Sequence, residues 1–170
     1  MRAALAAIAL LCPLLAGAGG FRAAELSSDQ RQLVVTLRDG ARFMAPSLPE
    51  QVKFDAPRIS ADGRHVGWLA YYDNCCTSYP IPLFLVVMDE ERRLHRFDGI
   101  QLAVFAWCFS KDSRAVAFRQ APLHFSNAEH HELRRIADER LLAQHDAPEG
   151  FDDDAQALRR LPPWARCVPR

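Results

Sequence analysis

The chain has 170 residues, with 21 Lys and Arg set against 21 Asp and Glu, so no surplus of either sign marks a nucleic-acid or membrane-surface footprint. At 49% hydrophobic and 25% charged it has globular composition, which excludes a disordered or fibrous chain and fits one domain.

In chain order, Arg2 is followed by an apolar run, Ala3 to Gly20, that carries Ala16-Gly17-Ala18 near its end, the small-x-small pattern read by signal peptidases. Pro13 and the glycines make it a poor bilayer span, and Cys12 follows two leucines where a lipidation site wants a small residue. Residues 1–18 are therefore expected to be a signal peptide. Cleavage after Ala18 leaves 152 residues with 20 basic and 21 acidic side chains. Nothing further along is apolar enough to span a membrane, so the mature chain is expected to be periplasmic or secreted, with no membrane span and no nucleic-acid partner.

Residues 32–46 (QLVVTLRDGARFMAP) predict a hairpin turning at Asp39-Gly40, because Asp bonds the nearby backbone and Gly accepts positive φ. Residues 59–68 (ISADGRHVGW) and 109–118 (FSKDSRAVAF) then match at an offset of 50. Ser60/Ser110, Asp62/Asp112, Arg64/Arg114 and Val66/Val116 are identical, and Ile59/Phe109, Gly67/Ala117 and Trp68/Phe118 keep their character. A second pair, 83–98 and 131–146, matches at an offset of 48 through Leu85/Leu133, Glu91/Glu139, Arg92/Arg140, Leu94/Leu142 and Asp98/Asp146. Hairpins are expected at 64–72, 83–97, 103–120 and 130–145. Alternation along the strands puts Val66, Trp68, Val116 and Phe118 on one buried face, with Trp68 and Trp107 filling the core. The expected fold class is all-β, an antiparallel meander of propeller-blade-like hairpins forming an incomplete propeller or a β-sandwich over 19–150.

The Ser-x-Asp-Gly-Arg turn entering a Val/Gly/Trp strand, followed by a second hairpin, resembles the blade repeat of TolB-type and WD-like β-propellers of exported bacterial proteins. The resemblance covers about residues 31–146, and Ala61 and Lys111 stand where such turns usually carry Pro. It implies two and a half to three blades, where a closed ring takes at least four, and implies a bacterial envelope setting. It is silent on activity, because propellers host many unrelated functions.

Residues 151–170 are expected to form a short helix near 152–160 and a tail. Asp152–Asp154 begin it, arginines end it, Pro162-Pro163 stop it, and Trp164 with Cys167 pin the tail back on the sheet.

Export leaves Cys75, Cys76, Cys108 and Cys167, an even number in a compartment that permits disulfides. Because a bridge between adjacent residues closes a strained ring, Cys75 and Cys76 are each expected to reach a distant partner, Cys108 and Cys167, in an order the sequence leaves open.

No phosphate loop, nucleophile elbow or His-Glu-x-x-His helix is present, and no cofactor is implied. Two polar regions stand out. The loop after the first repeat combines Tyr71, Tyr72, Asn74 and Tyr79, a mixture of aromatic and hydrogen-bonding side chains seen on recognition surfaces. The segment His124, Glu129, His130, His131 and Glu132 offers imidazole and carboxylate ligands, although His130 and Glu132 face one way on a strand and His131 the other. The function expected is a non-catalytic binding or assembly module that recognises a protein in the cell envelope, or self-associates, through blade edges or the aromatic loop. The alternative is a metal-dependent hydrolase or metal-binding protein using His124, His130 and His131.

Overall fold

Among the described residues six hairpin turns organise the sheets, each closed by a residue held at positive φ. Gln30 (58°), Gly63 (75°) and Ser113 (60°) close one kind; Gly40 (91°), Arg92 (63°) and Glu139 (57°) close the other. In the first kind a serine bridges the turn. Ser60 Oγ donates to Asp62 Oδ1 at 2.6 Å and accepts from His65 N at 2.9 Å, while Asp62 Oδ1 accepts from Arg64 N at 3.0 Å. Ser110, Asp112, Ala115 and Arg114 repeat this at 2.6, 3.0 and 3.2 Å. So do Ser27, Asp29, Gln32 and Arg31, at 2.6, 3.0 and 3.1 Å. The third copy, Ser-Ser-Asp-Gln-Arg at 27–31, is absent from the repeat read in the sequence, because it lies 33 residues before Ser60 and not 50.

The computed structural model describes residues 19–75, 77–99, 103–123, 128–147 and 158–169. The turns connect three antiparallel meanders. The first sheet holds β1 (Phe21–Leu26), β2 (Leu33–Leu37) and β3 (Arg42–Met44). The second holds β4 (Lys53–Ile59), β5 (His65–Tyr72), β6 (Ile81–Asp89) and β7 (Leu94–Asp98). The third holds β8 (Ala103–Phe109), β9 (Ala115–Ala121), β10 (Glu129–Arg135) and β11 (Leu141–Ala147). The fold is all-β, with propeller-like sheets that close no barrel. Its described helix is the single turn 158–160; the rest of the expected helix and the segment 1–18 lie outside the described residues.

The sheets stack in chain order, and strand alternation decides what each face meets. Phe21, Leu33 and Val35 of the first sheet pack against Val66, Trp68, Val86 and Met88 of the second. Leu69, Leu85, Val87 and Phe97 on the reverse side of the second sheet meet Val104, Trp107, Val116 and Phe118 of the third. The expectation of one shared face is therefore corrected. Val66 and Trp68 occupy the same place in their sheet as Val116 and Phe118 do in theirs, but each pair faces the preceding sheet, in a different core. Trp68 and Trp107 are both fully buried. Between the second and third sheets Gly67 makes room for Trp107: a Cβ there would lie 2.6 Å from Trp107 Cη2.

Register corrects the second repeat as well. Val86 lies opposite Trp68, and Glu132 lies opposite its counterpart Phe118, so the structural offset is two residues shorter than the sequence match. An even slip preserves the faces.

The outer face of the third sheet carries Ala106, Cys108, Ala117 and Leu133, and the tail covers it with Trp164 and Val168. Cys108 alternates with inward-facing Trp107 and so points at the tail, where it bonds Cys167 across a Cα separation of 5.9 Å. This corrects the expected pairing of Cys75 and Cys76 with Cys108 and Cys167. Cys75 lies exposed on the β5–β6 loop, and Cys76 lies outside the described residues.

Candidate functional site

Three regions concentrate polar chemistry. In the aromatic loop, Tyr71 and Tyr72 are consecutive on β5 and so point to opposite faces. Tyr71 donates to Asp55 Oδ2 at 3.0 Å, with Lys53 Nζ 5.0 Å from its ring centroid. Burial, reinforced by the Asp55 charge, pushes its phenol far above the ordinary range. Tyr72 stands edge-on to Phe84 at 5.3 Å, and burial raises its phenol too. Asn74 is half-buried, and Tyr79 is 53% exposed. Of the three tyrosines only Tyr79 presents most of its surface to solvent; the other two are anchored in packing between sheets.

The histidine-rich strand β10 divides as alternation requires. On the inner face His130 lies between two carboxylates, with Nδ1 2.5 Å from Asp146 Oδ1 and Nε2 3.2 Å from Glu132 Oε1. Glu132 is fully buried and also accepts from Gln120 Nε2 at 3.1 Å and from Arg134 Nε. A buried carboxylate survives only when its oxygens are paired, and here they are. On the outer face His131, 1% exposed, pairs across strands with His145, the ring centroids 6.4 Å apart. Glu129 Oε2 lies 3.9 Å from His131 Nε2, while Glu129 Oε1 accepts from Arg119 at 2.6 Å. Burial is the main cause that lowers the His131 pKa to about 4, so the ring is neutral at pH 7. The sheet therefore separates His130 from His131, and His124 lies outside the described residues. Among the described residues no three His, Cys, Asp or Glu side chains converge as metal ligands.

The third region has no counterpart in the sequence reading. At the turn end of the second and third sheets a groove of ≈ 680 Å³ is lined by Arg64 and Arg114 from the serine turns, Arg93 and Arg135 near the other turns, and Asp89, Glu90 and His95. Arg64 bonds Glu90 at 2.6 Å, and Arg93 bonds Asp89 at 2.7 Å and Glu91 at 3.1 Å. His95 stands 3.5 Å from Asp89 and 3.6 Å from Glu139. Burial opposes ionisation of Asp89, but bonds from Arg93 hold its pKa below the usual carboxylate value. Carboxylates here match the arginines closely, so the groove is a charge-compensated seam and not an anion funnel. The signal that could have found it is the recurrence of Arg64 as Arg114 in the repeat, which brings two cations to one end of the stack.

No protein-family model and no curated protein matches the sequence. Among solved structures, the chain is similar to an acylaminoacyl peptidase of Pyrococcus horikoshii at 14% identity and a TM-score of 0.46, over 74% of this chain. The chain spans 22% of that protein's length, and the likeness carries no argument about activity.

Proposed function

We propose that the chain is an exported, non-catalytic binding or assembly module, built from propeller blades of the TolB or WD-like kind, that recognises a protein partner in the cell envelope. The observation carrying this reading is the asymmetry of the stack. The outer face of the third sheet is sealed by a segment tied down through a disulfide, a bond at home outside the cytoplasm. The first sheet has one strand fewer than the others and exposes Glu25, Arg42 and, at 51%, Met44 on its outer side. An edge strand that pairs with no further strand among the described residues and an exposed face are what a partner strand or surface requires, and Tyr79 adds an exposed aromatic on the β5–β6 loop of the second sheet. Among the described residues no helix is long and apolar enough to cross a membrane.

Two measurements test the proposal. An alkaline phosphatase fusion after residue 40 is expected to be active in cells, and an inactive fusion would remove export. Photo-crosslinkers at Met44 and Tyr79 are expected to give discrete protein adducts in envelope fractions, with none from Arg166 in the covering tail. Silence at both Met44 and Tyr79 would refute the binding reading.

A further inference from the structure

We propose that the Cys108–Cys167 disulfide is a site of thiol–disulfide exchange, and that reduction by a dithiol undocks the segment 158–169 from the third sheet while the three sheets stay folded. The inference stands on the tail alone and does not depend on what the module binds.

Three observations carry it. The first is access. Both cysteines line an open groove of ≈ 560 Å³, and Cys167 is an exposed residue while Cys108 is 6% exposed, so an attacking thiolate reaches the bridge from the Cys167 side. The second is charge. Arg58, whose guanidinium stands 5.9 Å from the Trp107 ring centroid, and Lys111 line the same groove, and neither forms an ion pair among the described residues. Cations beside a departing sulfur stabilise the thiolate and make it a better leaving group. The third is the way the tail is attached. Much of its hydrogen bonding closes within the segment: Ala165 N donates to Pro162 O at 2.9 Å, Val168 N to Ala165 O at 3.1 Å, and Arg166 Nε to Leu161 O at 3.0 Å. Among the described residues no backbone hydrogen bond joins the tail to the sheet. Trp164 and Val168 pack on Ala106, Ala117 and Leu133, Leu161 and Ala165 are buried beside them, and the disulfide ties this small apolar docking to β8. The two cores between the sheets contain no residue of the tail. Cutting the cross-link therefore leaves a short segment on a small apolar patch, and leaves the stack intact.

The exchange balances as two displacements. One thiolate of the dithiol attacks Cys167 Sγ; the disulfide breaks with its electron pair on Cys108 Sγ, which takes a proton. The second thiolate then attacks the mixed disulfide, releasing Cys167 as a thiol and leaving the reductant oxidised to its own disulfide.

The test uses the full oxidised chain with dithiothreitol in native buffer, followed by alkylation mapping, far-UV circular dichroism and hydrogen exchange. The expected result is alkylation of both Cys108 and Cys167 without denaturant, an unchanged strand spectrum, and loss of exchange protection in 161–168 while β4–β7 keep theirs. Arg58→Glu with Lys111→Glu is expected to slow the reduction several-fold. Cys167→Ser, in the absence of reductant, is expected to show the same exchange pattern as the reduced protein. Reduction that occurs only in denaturant, loss of the strand spectrum on reduction or in Cys167→Ser, or a tail that stays protected once reduced would each overturn the proposal. A reduction rate unchanged by the two charge reversals would overturn its electrostatic basis.

Discussion

Replacing Gly67 by Ala adds one methyl group where Trp107 of the third sheet presses against the second. The new Cβ would stand 2.6 Å from Trp107 Cη2 and 3.1 Å from the carbonyl oxygen of Val86. Ordinary carbon contacts begin near ~3.5 Å, so the indole has to retreat by roughly 0.9 Å. It has little room to do so. Trp107 is fully buried, its Nε1 donates to Ala56 O at 3.1 Å, and its ring stands edge-on to Phe109 at 4.9 Å. Overpacking of this kind costs about 1–3 kcal/mol, offset by about 0.4–1 kcal/mol because Ala restricts the unfolded chain more than Gly does. The expected net loss is about 1–2 kcal/mol. Trp107→Phe removes the clashing atoms, although by itself it leaves Ala56 O without its donor and opens a void, at about 2–4 kcal/mol. In that background Gly67→Ala is expected to cost almost nothing, since only the tight contact with Val86 O persists. Urea unfolding followed by circular dichroism, arranged as a double-mutant cycle, measures the coupling. Equal losses in the two backgrounds would refute the close contact as the reason for Gly67.

His131 is expected to make stability depend on pH. Its folded pKa of about 4 lies below the ordinary histidine value of 6.5, so between those values the unfolded chain binds the proton and the folded chain does not. Stability should therefore fall as pH drops through this window, by at most about 3 kcal/mol, and His131→Leu should flatten the slope of melting temperature against pH. An unaltered slope would show that another group carries it. The serine turns give an acid-side counterpart. The Ser110 hydroxyl, followed by the Arg114 amide, holds the Asp112 carboxyl below its usual value, so the stability it contributes is present above the unfolded pKa and is lost as pH falls through the lowered one. Ser110→Ala should bring the Asp112 titration, followed by NMR, back up towards 3.8, and should cost about 1 kcal/mol of stability. A titration that does not move would break the equivalence of the turns.

The turns were legible in the sequence because their chemistry is local. Ser, Asp and a residue tolerant of positive φ, within six positions, settle the geometry whatever lies around them, and Ser60 and Ser110 proved identical in bonding as in spelling. Alternation was legible for the same reason, so the opposite orientation of His130 and His131 could be read before any sheet was seen. The copy at Ser27 was obscured only by its spacing, since a sheet one strand shorter shifts the repeat without changing the turn. Which face meets which was decided by the stacking. Val66 and Val116 carry the same pattern and end in different cores, because a period of two specifies a side of the strand and not the sheet lying across from it. The cysteines depended on tertiary structure in the same way. Four thiols allow three pairings, and only the arrival of the tail on the outer face of the third sheet brought Cys167 within 5.9 Å, Cα to Cα, of Cys108. Contacts between residues 59 positions apart depend on where whole sheets come to rest, which no local spacing encodes.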